Sequence, residues 1–139
     1  MKIEEGTVVV DAGPLIHLDE LQSLDLLDDL APLFAPEVVS HEVKTHRPKL
    51  NCDQISGLHI VSEKVSISTR LSTLAKSFVL DLGEVEALAL AEQHRLQTFL
   101  TDDSAARLVA ESLGFKVHGT IGILIRSIRR GLRSQPPSS

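Results

Sequence analysis

Five acidic side chains recur where short strands and helices can bring carboxylates together. Asp11 ends the run Thr7-Val8-Val9-Val10, just before Ala12-Gly13-Pro14, and Asp102-Asp103 end the run Thr98 to Thr101, just before a stretch that stops at Gly114. The same order occurs twice: β-prone residues buried on both faces, then acid, then a helix start. Ligands of open α/β sheets gather outside the carboxyl ends of the strands, so acids there are candidates for one shared site. Each also has a structural reading. Asp11 can cap the helix that Pro14 opens, one of Asp102 and Asp103 can cap the next helix, and Asp103 can pair with Arg107 four residues on.

Glu42 and Glu84 are carboxylates carried on helices. Val38 and Val39 precede Glu42 by four and three residues, so Glu42 projects from the apolar side of its helix, where a carboxylate is costly unless paired or bound to a cation. The plainer reading is a glutamate that reaches water. Asp81 and Glu84 have the spacing of a capping box, which would turn Glu84 back to the helix start. Yet Glu84 shares a face with Leu88 and Ala91, whereas Glu86 lies about 200° further round at helical spacing. Glu84 is therefore the residue chosen for the pocket, and Glu86 the fallback.

Gathered in one pocket, these acids repel. At about 4 Å and an effective dielectric near 20, each like-charge pair costs on the order of 4 kcal/mol, so such a cluster is partly protonated or open and hydrated. Hard divalent cations relieve the repulsion, and Mg²⁺ or Mn²⁺ prefer oxygen ligands. The reaction this suits is phosphodiester hydrolysis, in which metal activates water and neutralises charge on the phosphate. Asp11 and Asp102 or Asp103 are the expected direct ligands. Glu42 and Glu84 ligate or hold a metal-bound water as general base, and Thr101 steadies the site by hydrogen bonding. Cys52 lies in a polar loop without a His-Asp pattern and is no nucleophile. His17, with no second histidine at ligand spacing, reads as a packed or surface residue.

The elements that must position these residues follow in order. Pro14 to Leu30 places leucines at threefold spacing with acids between them, which predicts one amphipathic helix. Leu33 to Ala35 predicts a short strand, and Pro36 opens a helix to about Lys44. Leu58 to Val61 reads as a strand and Ser66 to Val79 as a helix with Ile67, Leu71, Leu74 and Phe78 inward. A helix from Asp81, a strand at Thr98 to Thr101, and a helix to Gly114 come next. A strand at Phe115 to Val117 and a helix from about Ile121, with Thr120 as N-cap, complete the series. This alternation implies a three-layer α/β/α sandwich around a mostly parallel sheet of four to five short strands.

The 139 residues suit one domain over 1–132, with a disordered tail at 133–139 containing "SQPPSS". Four Phe, no Trp and no Tyr argue against single-strand binding on aromatic platforms. One cysteine excludes an internal disulfide and a cysteine zinc cluster. "MKIEEG" has no signal-like apolar region and no run suits a membrane span, so a soluble cytoplasmic protein is expected. The net charge of −5 is uneven: residues 1–40 carry nine acids and one Lys, whereas residues 116–139 carry five cations and no acid. Lys44, Arg47, Arg126, Arg129 and Arg130 are the candidate phosphate contacts, against a plain reading as solvated surface.

"VVVDAGPLIHL", "APEVVSHEV", "LGEVEALALA" and "LTDDSAARLVAESLGFKVHGTIGIL" occur in that order from Val8 to Leu124. Together they resemble a PIN domain, closest to the prokaryotic branch near the toxins of VapBC-type toxin–antitoxin pairs. The resemblance implies a metal-dependent ribonuclease using Mg²⁺ or Mn²⁺. Asp11 matches the first-strand aspartate, Glu42 the second-helix glutamate, Glu84 the third acid, often Asp in the family, and Asp102 or Asp103 the fourth. It further implies a homodimer and, for a toxin, an antitoxin segment over the acidic cleft. Two other classes compete on the residues alone: a non-catalytic module that binds RNA or protein while its acids cap helices, and an acid-cluster phosphatase. A dinucleotide-binding domain is excluded because the first turn is "DAGPL" and no G-x-G-x-x-G run occurs.

Overall fold

A computed structural model describes residues 7–131. The leading "MKIEEG" and the tail at 133–139 lie outside the described residues. Strands β1 (Val8–Val10), β2 (Leu33–Pro36), β3 (Leu58–Val61), β4 (Thr98–Leu100) and β5 (Lys116–His118) form one sheet in the order β3-β2-β1-β4-β5, and every pairing is parallel. Parallel sheets are covered on both faces, which is why the central strands read as unbroken apolar runs rather than alternating ones. Val9, Val10, Leu33, Ala35, Phe99 and Leu100 are accordingly sealed from solvent.

Helices α1 (Ala12–Glu20), α2 (Glu37–His46), α3 (Thr69–Ser77), α4 (Leu82–Gln93), α5 (Ser104–Ser112) and α6 (Thr120–Arg129) complete the expected α/β/α sandwich. α4 lies over β1 and β2 and meets α2 and α3, while α1 touches α2 and α6 and α5 runs along β5. Among the described residues no helix is long and apolar enough to cross a membrane.

The single helix expected over Pro14 to Leu30 is two elements. α1 stops at Glu20, Gln22 takes a left-handed φ of +53°, and Leu24–Leu30 continues as a 3-10 helix. A strict three-residue leucine repeat winds around an α-helix of 3.6 residues per turn but stays on one face of a 3-10 helix, where i and i+3 eclipse. The break closes as a Schellman motif, with Ser23 N donating to Leu18 O at 2.8 Å and Gln22 N to Asp19 O at 3.0 Å. α5 ends in the same way at Gly114, as its sequence position suggests.

Two inward assignments are also corrected. α3 starts late, capped by the Ser68 hydroxyl on Leu71 N, so Ile67 precedes the helix and Phe78 follows it; both are exposed, while Leu71 is buried. Gly119, not Thr120, is the N-cap of α6, because Thr120 turns its backbone N–H and hydroxyl to Asp102.

Candidate active site

Chain order runs from β1 outward through β2 and β3, then returns to β4 on the other side of β1. The carboxyl ends of β1 and β4 are therefore a topological switch point, the usual place for a ligand crevice in such sheets. Asp11 N still belongs to the ladder, donating to Leu100 O at 2.8 Å, and its side chain emerges where the strand ends. Asp11 Oδ1 accepts from Ala12 N at 2.9 Å and Oδ2 from the Thr101 hydroxyl at 3.0 Å. The capping reading holds for this residue, and its second oxygen is turned to Thr101 at the end of β4. Burial pushes its carboxyl up to about 6, against the two hydrogen bonds and with the help of Asp81 and Glu42.

α4 brings the next acids. The capping box is formed, with Asp81 N donating to Glu84 Oε1 at 2.9 Å and Glu84 N to Asp81 Oδ1 at 2.8 Å. Glu84 is nonetheless 7 % exposed. Burial, then the charges of Asp81, Asp11 and Asp103, push it up to about 8 despite the bond from the Asp81 backbone. Glu86 points elsewhere, to a hollow with Glu37, Val38 and Glu63. Glu42 approaches from α2 over Gly83: a Cβ there would lie 3.2 Å from Glu42 Oε1 and 3.5 Å from Asp81 Oδ1. Its carboxyl is raised by partial burial and then by Asp81, with His46 opposing.

The two β4 acids part company. Asp103 caps α5 through Ala106 N at 2.8 Å, its own N–H rests on Thr101 Oγ1 at 3.1 Å, and its charge acts on Glu84. Among the described residues no ion pair joins it to Arg107, whose guanidinium reaches Val117 O instead. Asp102 accepts from Thr120 N at 2.7 Å, from the Thr120 hydroxyl, and from His17 Nδ1 at 2.6 Å. Burial raises the Asp102 carboxyl, but these bonds outweigh it and hold the group below the ordinary aspartate range.

The structure thus groups Asp11, Glu42, Glu84 and Asp103, and turns Asp102 aside. It adds Asp81, which sequence reasoning gave only a capping role. The signal was present, since a capping box at a helix start beside the strand ends carries both of its acids to the pocket. His17 beside Asp102 had no sequence signal, because its partner is 85 residues away.

Residues 7–136 match a family profile described as a PIN domain. The chain belongs to the PIN domain family. Comparison with curated proteins gave no match. PIN domains are of nuclease type, hydrolases of phosphodiester bonds that typically use divalent metals. In this PIN domain the donors at the pocket are carboxylate oxygens, the chemistry Mg²⁺ and Mn²⁺ prefer. Among the described residues no three His, Cys, Asp or Glu side chains are gathered so as to hold an ion outright. Asp11 and Glu84 are instead turned into hydrogen bonds with Thr101 and the Asp81 backbone. The donor set fits a hard cation once these side chains turn, and a cation would reverse the charge repulsion that raises Asp11 and Glu84.

Three of the five candidate phosphate contacts are engaged in ion pairs. Arg126 and Arg130 both pair with Asp29, and Arg47 pairs with Asp19 at 2.7 Å. Lys44 and Arg129 are exposed.

Proposed function

We propose that this PIN domain is a metal-dependent endoribonuclease. The observation that carries the reading is the convergence of Asp11, Glu42, Glu84 and Asp103 at the carboxyl ends of β1 and β4, with burial and mutual repulsion raising Asp11 to about 6 and Glu84 to about 8. Asp11, Glu84 and Asp103 would hold one or two Mg²⁺ or Mn²⁺ ions, and Glu42 would ligate or hold water in place. When bound, the cation supplies Lewis acidity and a water of lowered pKa. Thr101 keeps Asp11 aimed at the strand end. Asp102, charged and occupied by Thr120 and His17, is left out of the ligand set. Lys44 and Arg129 are the exposed candidates for phosphate contacts; Arg47, Arg126 and Arg130 could join only by leaving their aspartates.

Cleavage of a mixed structured RNA with Mg²⁺ or Mn²⁺ tests this, against EDTA, Asp11→Asn, single-stranded DNA and a small phosphate ester. RNA cutting that requires the metal and falls by about a hundredfold or more in Asp11→Asn is expected. Cleavage of the ester with intact RNA would make the protein a phosphatase. The motif resemblance extends the proposal to a cytoplasmic homodimer and, for a toxin, to an antitoxin segment that lays a basic residue among the acids. An active monomer with no growth defect in its host would count against that part.

One observation favours a second reading. Asp11, Asp81, Glu84 and Asp103 all satisfy helix N-termini, which a non-catalytic module that binds RNA or protein would also need. Such a module binds RNA without cutting it under any divalent ion.

A further inference from the structure

Asp102 is the one β4 acid that does not face the pocket, yet the chain makes room for it on two sides. A Cβ at Gly119 would stand 2.7 Å from Asp102 Oδ1 and 3.1 Å from Thr101 O, and one at Gly13 would stand 3.3 Å from Asp102 Cβ. Gly119 has an ordinary φ of −109°, so its lack of a side chain serves space rather than backbone conformation. Thr120 then gives Asp102 two hydrogen bonds, and the carboxylate holds His17 Nδ1 at 2.6 Å.

That contact sets the histidine's tautomer. An ionised carboxylate only accepts, so the hydrogen of this bond sits on Nδ1, and a neutral ring then presents Nε2 as an acceptor. The imidazole is half exposed. His17 follows Asp11 by six residues on α1, and its ring meets the side chain of Asp102, the residue before Asp103, so the imidazole stands beside the strand ends that carry the acids.

A nucleic-acid backbone offers few partners to such an acceptor. Phosphate and ring oxygens only accept, and the one backbone donor is the ribose 2′-hydroxyl, which DNA lacks. We propose that His17, oriented by Asp102, is the specificity-determining residue by which this site prefers RNA, its Nε2 accepting a hydrogen bond from a ribose 2′-hydroxyl of the strand beside the acid pocket. The inference rests on the nuclease reading for the position of the strand, but not on catalysis for its test.

The test is binding of an RNA oligonucleotide, its DNA counterpart and a series with single 2′-deoxy positions, to wild type, His17→Ala and His17→Gln, in EDTA so that nothing is cut. The wild type should bind RNA about tenfold more tightly than DNA, with most of the difference lost at one deoxy position. His17→Ala should bind RNA as weakly as DNA and ignore that position, and His17→Gln, which keeps an acceptor, should retain part of the preference. Equal losses on RNA and DNA in both variants, or a preference that follows base sequence instead of the 2′-hydroxyl, would overturn the proposal. Cleavage by wild type with Mg²⁺ or Mn²⁺, run alongside, reports separately on the nuclease reading: RNA bound through His17 but never cut overturns that reading alone.

Discussion

Thr101 donates its hydroxyl hydrogen to Asp11 Oδ2 at 3.0 Å, across the seam between β1 and β4, and accepts the Asp103 N–H at 3.1 Å with the same oxygen. Thr101 is fully buried. Thr101→Val keeps the shape but leaves Asp11 one donor short and the Asp103 N–H without an acceptor, at a cost of about 1–3 kcal/mol. Because that hydrogen bond lowers the Asp11 carboxyl, its loss should also move the acidic limb of any pH–activity profile upward. Thr101→Ser should restore both properties. Urea unfolding and the pH profile check this, and identical behaviour of the Val and Ser variants would sink it.

Asp11 and Glu84 make stability fall as pH rises. Their folded values, about 6 and about 8, exceed the ordinary 3.8 and 4.5, so the native state holds more protons and loses stability as pH climbs from about 4 to about 8. For the sealed Asp11 alone the loss is on the order of 2–3 kcal/mol. Glu84→Gln should flatten the upper part of this slope. Mg²⁺ or Mn²⁺ should raise Tm more at pH 8 than at pH 5, with protons released on binding. A pH-independent metal effect would argue that the carboxylates are not the ligands.

Asp102 carries the opposite sign. Its folded carboxyl lies below the ordinary 3.8, so its contribution is present above that value and lost as pH falls through the folded one. Asp102→Asn weakens bonds to Thr120 and His17 and should cost about 1–3 kcal/mol at pH 7. The difference from wild type should shrink once the pH is taken well below the ordinary 3.8. Chemical denaturation at the two pH values decides the matter, and an equal cost at both would remove the charge from the account.

Gly119 and Gly122 should answer alanine differently, though only three residues apart. At Gly119 the new Cβ meets Asp102 Oδ1 at 2.7 Å and the Thr101 carbonyl at 3.1 Å, and backbone does not yield cheaply, so a loss of about 1–3 kcal/mol is expected. Gly122 lies inside α6 with nothing within 4 Å of its Cβ, so Gly122→Ala should stabilise by about 0.5–1 kcal/mol. Thermal melts of the two variants give the comparison, with a shift of the same sign as the refuting result.

Much of this PIN domain follows from the sequence by itself. The buried runs at Val8–Val10 and Thr98–Leu100, the capping box from Asp81 to Glu84 and the stop at Gly114 are legible because each depends on neighbours a few residues away. Acids standing at the ends of two strands, and hence a parallel α/β crevice, are legible for the same reason. The tertiary structure alone decided which acids share the pocket. Asp102 and Asp103 have the same local setting, and they are separated by Thr120, 18 residues on, and His17, 85 residues back. The Asp11–Thr101 bond spans 90 residues. No local period encodes a partner so far along the chain; it is fixed when the sheet brings β1 beside β4 and α1 packs against α6.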